Sequence, residues 1–142
     1  MASSALYLLD LAVLAELTRP AGNRRVQTLF REHQRVSAIA APTAYALLRG
    51  VEAVPEGARR TQLAGFAHEL VRSGPPVLPF DRDAALWLAR EAPRRARQGR
   101  NWTALEGQQA AIAATQDMVL VTRTPATYAG AQSLRTEDWF RP

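Results

Sequence analysis

The chain has 142 residues, 47% of them hydrophobic, with 18 basic and 13 acidic side chains and a net charge of +5. That length suits one domain with a buried core. The absence of cysteine excludes a disulfide framework, a thiolate nucleophile and a zinc–thiolate site, and no apolar run approaches the roughly 20 residues of a membrane-spanning helix.

Leu6-Tyr7-Leu8-Leu9 is a short apolar run closed by a carboxylate, Asp10. It reads as a buried strand. Asp10 then stands at the strand's carboxyl end, where open α/β sheets place their sites. Aspartate is also a common helix N-cap, and a helix over Val13-Leu14-Ala15-Glu16-Leu17 starts just after it. On this stretch alone the two roles weigh about level. Thr18-Arg19-Pro20 stops the helix. Asn23 caps a second helix reaching about His33, with Val26, Leu29 and Phe30 spaced for one buried face. Val36-Ser37-Ala38-Ile39 is a second strand, and a third helix runs from about Pro42 to Val51, with its proline in the first turn.

Pro55-Glu56-Gly57 is a turn. Leu63, Phe66, Ala67 and Leu70 mark an amphipathic helix ended by Ser73-Gly74-Pro75-Pro76. Val77-Leu78-Pro79-Phe80 is a third strand, placed by its prolines at a sheet edge. Asp81 caps the next helix, whose inward face is read as Ala84, Ala85, Leu88 and Ala89 with Trp87 beside them. Pro93 is expected to kink or break it. A small-residue helix follows over about Ala104 to Gln116, then a buried strand, Met118-Val119-Leu120-Val121-Thr122. Residues 134–140 return as an edge strand. Alternating strands and helices imply a mostly parallel sheet covered on both faces.

Every cation is arginine. Arginine suits bidentate phosphate binding, and a GC-rich genome produces the same bias. The densest basic run carries Arg94, Arg95, Arg97 and Arg100. It reads as a solvated face or loop, or more sharply as a nucleic-acid contact. Trp102 beside it is either a base-stacking ring or the edge of the core. Residues 1–4 lack the basic start of a signal peptide, which together with the missing cysteine fits a reducing cytoplasm.

Several stretches line up in order: Leu8-Leu9-Asp10 with Val13-Leu14-Ala15-Glu16-Leu17; Val36-Ser37-Ala38-Ile39; Leu47-Leu48-Arg49-Gly50-Val51-Glu52; Val77-Leu78-Pro79-Phe80-Asp81; and residues 107–113 with Leu120-Val121-Thr122-Arg123. Together they resemble the PIN-domain family, specifically the VapC-type toxins of bacterial toxin–antitoxin pairs and the FitB-like branch. The likeness runs over about residues 6–139 of a single domain, 1–142. It implies an α/β fold of three layers, α/β/α, around a mostly parallel sheet of four to five short strands. It also implies a cluster of about four acids that holds Mg²⁺ or Mn²⁺ for RNA hydrolysis. Implied partners are RNA, a small antitoxin protein and a second copy of the chain, with no membrane.

The acid positions are only partly filled. Asp10 matches the first, but Leu11-Ala12 stand where the family has Thr-Asn. Counting back from Gly50, the second acid position is Ala46; Glu52 matches a different one. Glu106 in Glu106-Gly107-Gln108-Gln109-Ala110-Ala111 matches the third, with a one-position ambiguity of helix phase, and Gln109 replaces a buried apolar residue. The fourth is Thr124, or in some relatives the position of Thr127. Catalysis and metal binding therefore fall to Asp10 and Glu106. Three readings follow: a PIN-like protein with weakened or lost metal-dependent ribonuclease activity; an active Mg²⁺- or Mn²⁺-dependent ribonuclease toxin using Asp10 and Glu106; and a non-catalytic RNA- or protein-binding module.

Overall fold

The computed structural model describes residues 5–142, so the reading of residues 1–4 lies outside the described residues. β1 (Tyr7–Leu9) leads into α1 (Leu11–Thr18), and α2 (Arg24–His33) follows a turn. A 3-10 turn, Gln34–Val36, precedes β2 (Ser37–Ala40), α3 (Ala41–Glu52) and α4 (Ala58–Ser73). Then come β3 (Val77–Leu78), α5 (Arg82–Ala96), α6 (Ala104–Thr115) and β4 (Val119–Val121). A second 3-10 turn, Pro125–Tyr128, leads to β5 (Arg135–Glu137). The strands form one sheet in the order β3-β2-β1-β4-β5, and every neighbouring pair is parallel.

Register explains the layers. Leu8 lies beside Ala38 and Leu120, and Leu9 beside Ile39 and Val121. Successive residues of a strand face opposite sides of the sheet. Leu8, Ala38 and Leu120 join a core with Ala84 of α5 and Ala110 to Ala113 of α6. Leu9, Ile39 and Val121 join another, with Val13 and Leu14 of α1, Val26 of α2, Leu47 and Val51 of α3, and Ala67 of α4. The sheet is thus the middle of three layers, and β3 and β5 are its edges, as the prolines near β3 and the short tail implied.

Capping sets where the helices begin. Side-chain oxygens of Asp10, Asn23, Asp81 and Thr103 accept the N–H groups of Val13, Val26, Ala84 and Glu106, each three residues on. These bonds satisfy N–H groups that a helix start leaves without a partner. Asp10 therefore starts α1 at Leu11, two residues before the apolar run that signalled it. In the turn between α1 and α2, a Cβ on Gly22 would stand 2.1 Å from the Glu16 carbonyl oxygen, so only glycine fits.

Three expectations need correction. Ala85 and Ala89 of α5 are exposed; the inward face is Ala84, Trp87, Leu88, Glu91 and Arg95. The last two are buried at 3% and 1% exposure, and an apolar periodicity cannot reveal a face completed by charged residues. Pro93 does not end α5, which continues to Ala96. The bond it forfeits is to the carbonyl of Ala89, on the exposed side where water can serve. Phe66 is exposed, whereas Leu63, Ala67 and Leu70 pack on the core; its position on α4 faces a surface groove rather than the sheet.

Candidate active site

Asp10 stands at the carboxyl end of β1, at the centre of the sheet, and is 7% exposed. Its main-chain N–H donates to the Val121 carbonyl at 3.1 Å, tying it to β4. Its Oδ1 accepts the Val13 N–H at 3.0 Å. The two roles left open by the sequence thus fall on one side chain: it caps α1 from the end of the sheet where sites are built. Burial pushes the Asp10 carboxyl above its ordinary range, and hydrogen bonds from Thr122 and from the N–H groups of Val13, Ala12 and Arg123 offset part of this.

A raised pKa means that the folded chain binds this proton more tightly than the unfolded chain. As pH falls through the raised value, the contribution of Asp10 to stability therefore increases, levelling off below the unfolded value of 3.8. Asparagine keeps an oxygen for the Val13 cap and removes the buried charge. Asp10→Asn is expected to be at least as stable as the parent at neutral pH, and its advantage should shrink on acidification. Urea denaturation at neutral and acid pH checks this. A variant clearly weaker at neutral pH would show that the ionised carboxylate stabilises the fold.

Glu106 occupies the third position of α6 and closes a capping box. Its Oε1 accepts the Thr103 N–H at 2.9 Å, while the Thr103 hydroxyl accepts the Glu106 N–H at 3.1 Å. The phase of α6 is also fixed by Gly107, where a Cβ would lie 3.0 Å from Leu88 Cδ1, and by Gln109, which is buried. The glycine after Glu106 is thus explained by the packing of α6 on α5.

Gln109 is not stranded in the core. Its Oε1 accepts the Thr43 hydroxyl at 2.8 Å, and its Nε2 lies 3.5 Å from the Tyr128 hydroxyl. This neutral chain links α3, α6 and the Pro125–Tyr128 turn. Burial first, then the charges of Asp10 and Glu106, push the Tyr128 phenol above its ordinary range. Sequence reading missed Thr43 and Tyr128. The only signal was Gln109 breaking the apolar phase of α6; its partners lie 66 and 19 residues away in the chain.

Ala46 is half-buried and lines a groove of roughly 490 Å³ between α3 and the start of α6, with Tyr45, Arg49, Leu105 and Gln108. Thr124 is exposed, with its N–H donating to the Thr122 hydroxyl at 3.1 Å. Thr127 offers its carbonyl to Arg95 and Trp102. Among the described residues, no three His, Asp or Glu side chains gather as metal ligands. Two carboxylates, each already bonded to helix N–H groups, beside an alanine and a threonine do not fit a site built on about four acids.

The basic run is largely committed within the chain. Arg95 is 1% exposed, and its guanidinium donates to the carbonyls of Ala129 and Thr127, both at 2.8 Å, and lies 4.4 Å above the Trp102 ring. Its expected role at a nucleic-acid surface is corrected by that burial. Arg94 bonds Glu91 and the Gly130 carbonyl, and Arg100 bonds the Ala129 carbonyl. Arg97 is exposed. Trp102 is the edge of the core, donating to Thr127 and stacked on Trp87 with centroids 6.1 Å apart.

A larger groove, roughly 650 Å³, opens between α1, α2 and α4, with Leu17, Phe30, Phe66 and Leu70 as its apolar wall and Arg31 and Arg35 on its rim. No described helix is long and apolar enough to cross a membrane.

No family model and no curated protein matches the sequence. Solved structures do match. A chain of FitAcB from Neisseria gonorrhoeae is 24% identical, with a TM-score of 0.82 over 96% of this chain and 100% of that one. A chain of FitAB bound to an IR36 DNA fragment is 23% identical, with a TM-score of 0.83 over 96% and 97%. A chain of DNA-bound VapBC from Salmonella typhimurium is 20% identical, with a TM-score of 0.80 over 95% and 98%. The chain has the PIN-like fold of these toxin–antitoxin structures. Identities this low carry the fold across; the chemistry rests on this chain's own residues.

Proposed function

We propose that the chain is a PIN-like protein of the toxin–antitoxin kind whose metal-dependent ribonuclease activity is weakened or lost. The observation that carries the reading is the state of the acid positions. Ala46 and Thr124 supply no charge, while Asp10 and Glu106 hold the starts of α1 and α6. What remains is a partner-binding fold. Its solved neighbours are toxin–antitoxin complexes, and the groove between α1, α2 and α4 offers an apolar seat for one helix of a small antitoxin. The absence of cysteine suits a cytoplasmic setting.

One observation favours the alternative of an active Mg²⁺- or Mn²⁺-dependent ribonuclease. Asp10 is a buried carboxylate at the carboxyl end of the central strand, and magnesium is often held by one or two carboxylates together with substrate phosphate. Incubating the folded chain with RNA and Mn²⁺ separates the two. No cleavage above that of Asp10→Ala is expected; cleavage that Asp10→Ala abolishes would establish the active enzyme instead.

A further inference from the structure

Among the described residues, the densest group of unpartnered arginines lies on α2 and the turn after it, away from the basic run that stood out in the sequence; Arg49, Arg59, Arg72, Arg82, Arg90 and Arg97 are unpartnered too, but spread over α3, α4 and the length of α5. Arg24, Thr28 and Arg31 recur at i, i+4 and i+7, which puts them on one face of α2. Arg35 follows in the 3-10 turn, and it shares the rim of the α1/α2/α4 groove with Arg31, so both lie on the same side. Arg25 is exposed next to Arg24. Apart from a 3.4 Å contact from Arg31 to the Thr28 hydroxyl, these arginines have no hydrogen-bond or ion-pair partner among the described residues. By contrast, Arg94, Arg95 and Arg100 are spent on carbonyls of residues 127–130.

The surroundings reinforce the charge. The first turn of α2 carries no acid, so its positive dipole end adds to Arg24 and Arg25. Glu32 on α2 and Glu69 across the groove form no ion pair among the described residues and leave the ridge with a clear positive excess. From Arg24 to Arg31 the helix rises about 10 Å. No exposed apolar residue lies between Arg24 and Arg31 on α2; the apolar wall of Leu17, Phe30, Phe66 and Leu70 stands beside the ridge, inside the groove. Guanidinium forks with a hydroxyl between them suit phosphodiester oxygens.

We infer that the α2 ridge of Arg24, Arg25, Arg31 and Arg35 is a nucleic-acid backbone contact, independent of the acidic positions at the end of the sheet. It reads charge and not sequence, so single-stranded RNA and duplex DNA both bind it.

Fluorescence anisotropy of the full chain with a labelled mixed-sequence RNA, in EDTA and over a series of salt concentrations, tests this. Four phosphate contacts predict a log–log salt slope of about −3 on a single strand, and Arg24→Gln with Arg31→Gln should reduce its magnitude by about 1.4. Arg24→Lys with Arg31→Lys should retain the slope, and Arg97→Gln should leave it unchanged. Circular dichroism confirms that each variant is folded. A salt slope unaltered in the glutamine variant, or lost in Arg97→Gln, overturns the assignment. Polyglutamate displacing the RNA at equal charge concentration would also overturn it, marking a surface for acidic protein. Duplex DNA competing with the RNA is the expected result; RNA binding that duplex DNA leaves untouched would refute a contact that reads backbone charge alone.

Discussion

Arg95→Ala should lower folding stability by about 3–5 kcal/mol, among the larger effects of any single substitution in this chain. The side chain is buried in α5, bonded to two carbonyls of the Pro125–Tyr128 turn and its exit, and laid over Trp102. Truncation opens a cavity beside Trp102 and removes a donor from each carbonyl. Both carbonyls keep a second partner, Trp102 for Thr127 and Arg100 for Ala129. The loss is therefore weighted toward packing. Arg95→Met retains most of the volume and should recover about half of the deficit. Urea denaturation reads both variants. If both fall within about 0.5 kcal/mol of the parent, the buried guanidinium is not holding this turn.

Ala46→Glu combined with Thr124→Asp should raise Mn²⁺ affinity at least about tenfold, because affinity for hard cations follows the charge count of the oxygen ligands. Ala46 is half-buried on a groove and Thr124 is exposed, so both positions have room for a longer or charged side chain. Without metal the added carboxylates repel Asp10 and Glu106, and the variant should melt below the parent. Mn²⁺ should then raise its melting temperature, since a ligand that binds only the folded state stabilises it. If the variant binds Mn²⁺ no better than the parent, the positions assigned to the missing acids do not converge.

The fold was legible because strands and helices carried separate signals. Leu8-Leu9 and Leu120-Val121 read as buried strands, and Asn23 and Asp81 as caps, from local pattern alone. The failures have one physical source. Where a buried face is built from Glu91, Arg95 and Gln109, burial is secured by hydrogen bonds to distant residues, and apolar spacing carries no trace of them. The same reason hid the division of the arginines. Arg94, Arg95 and Arg100 formed the densest run, yet the 127–130 segment that consumes them lies some 30 residues away in the chain. At the site, Asp10 and Glu106 were found by motif position; the cap on α1 was already one of the two readings of Asp10, whereas the capping box of Glu106 with Thr103 needed the start of α6 to be seen.

The weakened-site account is tested most directly by a calorimetric Mn²⁺ titration of the unaltered chain beside Asp10→Ala, with circular dichroism to show that both are folded. The account predicts no saturable binding, or binding that is weak and the same in both proteins. Stoichiometric binding that Asp10→Ala abolishes would contradict it, and would make Asp10 a working metal ligand rather than the cap of a helix alone.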